Sequence, residues 1–266
     1  MKSIYSKNHI QIMEGHPRGF CSNLLCLFGA LYRAWLIGGH VSVYHESLFN
    51  LYVDSFSKFK SYKDILESPL LIADSGLHNP VDMGQFLFDT RNAITFKVGQ
   101  EMFSSLISFN SLLLEEANKV SLNKPYASWN HSLHRRCTDH SMHEFIQPRK
   151  VFFDYIRTNI PGDEYFYLAT DSQAELEGFL AEFGERVLYN VVERSSSGEP
   201  IHLSSPRNHK SREKMSDLKN KRMIEVVSDI LRIASSTTVL CTNSGIPYTA
   251  KLINSELKIN DISLPR

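Results

Sequence analysis

The sequence has few cysteines, no excess of either charge and no long hydrophobic run, and each absence excludes a class of protein. Only four of its 266 residues are cysteine (Cys21, Cys26, Cys137, Cys241), and no two stand as C-x-x-C. That is too few for a disulfide scaffold, so a reduced, cytoplasmic setting is expected. Lys plus Arg total 29, as do Asp plus Glu. The chain therefore lacks the positive surplus with which general nucleic-acid or acidic-membrane binders hold their partners. The most apolar stretch, Leu24 to Ile37, is broken by Arg33 and is shorter than the ~20 residues of a membrane span. The residues before it, with Lys2, Lys7, His9 and Gln11, form no apolar signal core. Also lacking are a G-x-G-x-x-G turn, a P-loop and an H-E-x-x-H box, which removes support from dinucleotide, ATP and zincin readings. What is present is ordinary globular composition, 42% hydrophobic and 22% charged.

The order of elements is that of an α/β protein. Ile10 to Met13 is a short apolar strand, and a turn with Gly15 and Gly19 follows. Asn23 to Gly38 carries helical apolar spacing, ended by Gly38-Gly39, and Val41 to Tyr44 alternates like a strand. Glu101 to Val120 has the pattern of one amphipathic helix, and Asn123-Lys124-Pro125 breaks it. A domain boundary is expected there, giving an N-terminal domain over 1–124 and a C-terminal one over 125–266. In the second half, strands are expected at 127–133, 164–169, 186–192 and 238–241. Helices are expected at 148–157, 173–183, 221–234 and 247–254, and Ser195 to Lys219 is polar enough for a long loop. Strands alternating with helices imply a parallel sheet covered on both faces.

The densest run of reactive side chains is His131 to Glu144, with four His, one Cys, one Asp and one Glu. One reading is a metal site, although the spacing matches no ligand box and Arg135 and Arg136 would repel a cation. A second is a phosphate-binding turn at a strand end. There an Arg of the pair Arg135-Arg136 presents a planar fork, His134 and Asp139 supply hydrogen bonds, and Glu144 acts as a general base. A third is a solvated polar loop. Asp171 directly follows another strand, and Thr242-Asn243-Ser244 follows a third and precedes a helix. The hydroxyls and N–H groups of that last turn suit a phosphate, although Asp and Ser are also common capping residues. Asp229 interrupts an apolar helix pattern. It is either an exposed or capping acid, or a carboxylate facing two N–H groups of a ligand base. Gly19 and Asn23 flank the first strand-to-helix turn, where small residues allow backbone to approach a ligand.

Taken in order, these blocks resemble a family. His134-Arg-Arg136-Cys-Thr-Asp139 is similar to the H-x-R-x-[TG]-D motif of the GDP-fucose-dependent fucosyltransferases. That superfamily includes α-1,6-fucosyltransferases, bacterial nodulation fucosyltransferases and protein O-fucosyltransferases. Phe166 to Asp171 resembles its strand-then-T-D block, Glu225 to Leu231 the helix bearing Asp229, and Val239 to Ser244 the last donor-side strand and turn. Arg18-Gly19-Phe-Cys-Ser-Asn23 resembles the N-terminal glycine turn, while residues 51–120 match nothing in the family.

The resemblance implies an α/β, GT-B-like fold of two Rossmann-like domains facing a cleft, with the acceptor side in the first and the nucleotide sugar in the second. It implies inverting transfer of fucose from GDP-fucose to a hydroxyl of a glycan, with no metal and no other cofactor. Arg136 would hold the diphosphate, His134 and Asp229 the guanosine, and Thr242, Asn243 and Ser244 the diphosphate side. Asp139 and Asp171 would order the site, Gly19 and Asn23 line it, and Glu144 serve as base. Two departures stand out: Cys137 where many members have Arg or Gly, and His140 where the α-1,6 members have Lys. The rival expectations are a related enzyme using another nucleotide sugar, an inactive relative, and a His-cluster metal hydrolase. The expected partners are a sugar donor and a glycan, not nucleic acid.

Overall fold

A computed structural model describes residues 9–13, 20–43, 58–59, 64–72, 81–82, 97–137, 147–196, 212–242 and 244–262. In chain order the elements are β1 (His9–Met13), α1 (Phe20–Leu36), β2 (His40–Val43), β3 (Leu66–Glu67), β4 (Val81–Asp82), α2 (Lys97–Leu106), β5 (Ser108–Phe109) and α3 (Ser111–Lys119). They continue with β6 (His131–Arg135), α4 (Arg149–Asn159), β7 (Phe166–Thr170), α5 (Gln173–Phe183), β8 (Val187–Leu188), α6 (Arg212–Ala234), β9 (Thr238–Cys241), α7 (Gly245–Ile253) and β10 (Lys258–Asp261). The chain divides into two compact units, residues 1–115 with 210–223 and residues 116–209 with 224–266. The sequence alone suggested a division after residue 124.

In the first unit, β1 lies between β2 and β4 in a parallel sheet. The connection from β1 to β2 is α1, whose Leu24, Leu27, Leu31, Ala30 and Ala34 are all buried. Gly38 adopts a φ of 65° after α1. Its N–H bonds Trp35 O at 3.1 Å, and the Gly39 N–H bonds Ala34 O at 2.7 Å. That pair of bonds is the Schellman stop, which favours glycine because only it enters the left-handed region freely. The single helix expected over 101–120 is instead two. Ser108–Phe109 pairs antiparallel with Leu66–Glu67, and Asn110 Oδ1 accepts the Leu112 N–H at 2.9 Å to start α3. Tertiary strand pairing overrides helical spacing here.

The second unit carries a five-stranded parallel sheet in the order β10-β9-β6-β7-β8. The chain steps from β6 outward through β7 to β8, then returns through α6 to the opposite side of β6. The strand order reverses between β6 and β9. On one face, Leu133, Leu168, Leu240, Phe166 and Val187 pack against Phe152 and Ile156 of α4 and Leu176 and Phe179 of α5. These side chains share a face because residues at alternate positions of a strand do. On the other face, Ser132 Oγ contacts Ser236 Oγ just beyond α6, and Asn254 after α7 donates to Ala234 O at 2.8 Å. The result is helices on both faces of a parallel sheet, as alternation in the sequence predicted.

Several elements depart from the sequence reading, and the strand expected at 186–192 is reduced to Val187–Leu188. Strand β6 runs two residues further, through His134 and Arg135. Helix α6 begins at Arg212, inside the segment expected to be a loop. Its first half is charged but made of straight-chain helix formers. Strand β10 was not foreseen, because Lys-Ile-Asn-Asp at a sheet edge is mostly exposed and has little apolar pattern. It forms by pairing its backbone with β9. No helix among the described residues is long and apolar enough to cross a membrane.

Candidate functional site

Doubly wound sheets bind ligands outside the carboxyl ends of their strands, where the strand order reverses. In the second unit that place lies at the ends of β6 and β9, with His134 and Cys241 in register. Arg136 follows β6, Thr242 and Ser244 follow β9, and Asp171 follows β7.

His134 is 3% exposed, and its Nδ1 is buried with no hydrogen-bond partner. Burial, reinforced by the Arg136 charge, lowers its pKa to about 4, although the Asp171 carboxylate pulls the other way. The ring is therefore neutral at pH 7. An unpaired buried polar atom costs about 1–3 kcal/mol, so this nitrogen is a candidate contact for a ligand.

Arg135 and Arg136 are neighbours with different surroundings. Arg135 is buried. Its Nε donates to Glu175 Oε2 at 2.5 Å and its Nη1 to Gln147 O at 2.6 Å. Its guanidinium lies 5.0 Å from the centre of the Phe152 ring. Glu175 also accepts from Arg149 at 3.0 and 3.1 Å. Burial would raise the Glu175 pKa, but hydrogen bonds from Arg149 and Arg135 outweigh it and hold the carboxyl below its usual range. Gly178 on α5 makes room for this network, since a Cβ there would lie 2.0 Å from Arg149 Nη1. Arg136, by contrast, is half-buried beyond the end of the strand.

Asp171 Oδ1 accepts the Cys137 N–H at 2.9 Å, and its carbonyl accepts the Ser195 N–H at 2.9 Å. Cys137 is itself pushed up to about 12 by burial, so the thiol stays protonated. Ser244 caps α7, its Oγ accepting the Ile246 N–H at 3.5 Å. The N-terminus of a helix carries free N–H groups and partial positive charge, which suits an anion. Thr242 is half-buried beside it.

Asp229 lies on α6. Its Oδ1 accepts the Tyr167 hydroxyl at 2.6 Å and the Asn190 amide at 2.8 Å. Tyr167 is the second residue of β7, in register with Ser132, two residues short of His134. Burial raises the Asp229 pKa to about 6 against the hydrogen bonds from Tyr167 and Asn190 and the charges of Arg194 and Arg232. Asn23, 1% exposed, lies in the first turn of α1 in the other unit. Gly19, Asp139, Glu144 and Asn243 lie outside the described residues.

The structure thus brings His134, Arg136, Asp171, Thr242 and Ser244 to the carboxyl edge of one sheet. Asp229 is joined to Tyr167 of β7 and to Asn190 beyond β8, and Asn23 belongs to the other unit. Sequence reasoning missed Glu175, the acid that holds Arg135. Its signal was Ser172-Gln-Ala-Glu175, the S-x-x-E spacing of a capping box. Ser172 does cap α5, accepting from Glu175 N, while the Glu175 side chain turns to the two arginines. Among the described residues no three His, Cys, Asp or Glu side chains converge as metal ligands.

No family model and no curated protein matches the chain. Solved structures do. NodZ alpha-1,6-fucosyltransferase soaked with GDP-fucose is 13% identical over 92% of both chains, with a TM-score of 0.54. The same enzyme co-crystallised with GDP is 14% identical over 92% of both, with a TM-score of 0.56. A structure of fucosyltransferase NodZ from Bradyrhizobium is 11% identical over 92% of this chain and 93% of that one, with a TM-score of 0.53. Identities this low speak to fold. The chain has the α/β, GT-B-like fold of the NodZ alpha-1,6-fucosyltransferase structures, the class its sequence predicted.

Proposed function

We propose that the chain transfers fucose from GDP-fucose to a hydroxyl of a glycan acceptor. The observation that carries this reading is the carboxyl edge of the second sheet. Arg136 and the serine-capped N-terminus of α7 stand on the two sides of the point where strand order reverses, beside the open Nδ1 of His134. His134 and Arg136 of the H-x-R-x-T-D block fall at that place, and the fold is that of an enzyme solved with GDP-fucose and with GDP.

In this scheme the acceptor oxygen attacks C1 of fucose as the bond from C1 to the β-phosphate oxygen breaks, with inversion at C1. The acceptor proton passes to a base, assigned to Glu144 from the resemblance to the α-1,6-fucosyltransferases, and GDP leaves with the bonding pair. Negative charge grows on the departing phosphate. Arg136 and the α7 N-terminus are fixed where that charge appears, so their effect is larger in the transition state than in the bound donor. His134, neutral and with its Nδ1 open, contacts the nucleoside. Asp171 fixes the backbone at Cys137 and so the direction of Arg136. The scheme uses no cofactor, places the donor on the second unit and assigns the acceptor to the first.

A thermal-shift panel of GDP, GDP-fucose, GDP-mannose, UDP-sugars and dTDP-sugars tests the reading, followed by a transfer assay with the donor that binds. GDP and GDP-fucose are expected to raise Tm, since ligand at 100 times Kd adds about 2.7 kcal/mol. A larger shift with a UDP- or dTDP-sugar would replace the donor. No shift with any nucleotide would overturn the reading.

A further inference from the structure

We infer that Arg135 and Glu175 form a positioning pair that holds Arg136 at the carboxyl edge of the sheet. The inference rests on the donor site proposed above and adds residues that neither the motif nor the fold assigns.

The residues on either side of Arg136 are both held in place. The side chain of Arg135 is held by Glu175 at 2.5 Å. The backbone N–H of Cys137 is held by Asp171 at 2.9 Å. Asp171 and Glu175 both belong to the turn from β7 into α5, where Ser172 is the helix cap. One short turn therefore grips the residue before Arg136 by its side chain and the residue after it by its backbone. Arg135 also reaches forward to Gln147 O at 2.6 Å. The Gln147 amide in turn donates to Ile262 O at 2.7 Å, just past β10. The point where the chain returns before α4 is thus fixed against the point where β6 ends.

Stability alone is a weak reason for this network. Arg135 and Glu175 side chains are 6% and 14% exposed. Removing two charges from water is costly, and well-packed apolar residues are often as stable or more so. What apolar residues lack is direction. A guanidinium fork bound to a carboxylate and a carbonyl fixes the strand end in angle as well as in distance. A cation that must meet a developing phosphate charge gains from that preorganisation.

The test is a double variant, Arg135→Met with Glu175→Gln. It removes one charge of each sign and leaves Arg149, 36% exposed, solvated. The variant is expected to fold with a Tm close to that of the wild type. Its kcat is expected to fall about 10²-fold, the cost of a misplacement near 1 Å, with a smaller rise in donor KM. Arg135→Lys, which keeps a cation opposite Glu175, should restore part of the loss. A folded double variant with wild-type kcat overturns the inference. Hydrogen exchange at the Cys137 amide gives a second readout that needs no substrate. Exchange roughly tenfold faster in the double variant supports the pair, and unchanged exchange overturns it. If the wild type transfers sugar from no donor, the functional reading fails, and amide exchange alone decides the positioning pair.

Discussion

At the end of β6 two adjacent buried side chains, on opposite faces, are treated in opposite ways. On one face Arg135 meets Glu175, Gln147 O and the Phe152 ring, so its charge and its N–H groups are matched. On the other face the adjacent His134 keeps Nδ1 buried and unmatched. Both residues come from the same short motif, and nothing in their spelling separates them. Strand alternation does: one side chain goes to the α4–α5 layer, the next to the opposite face. Paired groups hold the strand end, while the unpaired one is available to a ligand. A protein that left both unpaired would be less stable, and one that paired both would have no contact left to offer.

The comparison breaks most visibly if the matched face is unmatched. Glu175→Gln leaves Arg135 buried without a counter-charge. It should lower stability by about 3–5 kcal/mol, measured by urea unfolding. A loss below 1 kcal/mol would mean that Arg135 is not dependent on Glu175.

Titration sharpens the comparison on the other face. The charge of His134 can change with pH. Its folded pKa, about 4, lies below its ordinary 6.5. Between those values the unfolded chain binds a proton that the folded one does not. The His134 contribution is therefore complete above pH 6.5 and is lost as pH falls toward 4, on the order of 3 kcal/mol. Asp229 runs the opposite way, since its folded pKa of about 6 is above its ordinary 3.8. Its contribution is complete below pH 3.8 and is lost as pH rises toward 6. The two largely cancel in the wild type. Relative to the wild type, Asp229→Asn should gain stability as pH rises from 4 to 6, and His134→Asn should lose it from 4 to 6.5. Parallel stability curves for all three proteins would contradict both assignments.

Much of this was legible in the sequence, for identifiable reasons. Periodicity placed α1, α5, β7 and β9, because their apolar patterns match the faces they bury. The turn bearing Arg136 was placed at a strand end, since Arg-rich polar residues follow an apolar run. The sequence could not separate Arg135 from Arg136, because strand β6 ends two residues later than its apolar pattern. Asp229 stood out only as an acid inside an apolar helix pattern. Its partners Tyr167 and Asn190 are 62 and 39 residues away in the chain, beyond any local pattern. Glu175 drew no notice, because its partners are 26 and 40 residues away in the chain. The break inside 101–120 was hidden because β5 owes its existence to a partner strand, not to its own pattern.

The central claim is that the carboxyl edge of the second sheet binds a nucleoside diphosphate through Arg136. Calorimetric titration of GDP into the wild type and into Arg136→Ala tests it most directly. The account predicts one GDP per chain in the wild type. In the variant it predicts binding weakened by about 1.5–3 kcal/mol, the value of a charge-assisted hydrogen bond. Equal affinity in the two proteins, or no binding by the wild type, would contradict it.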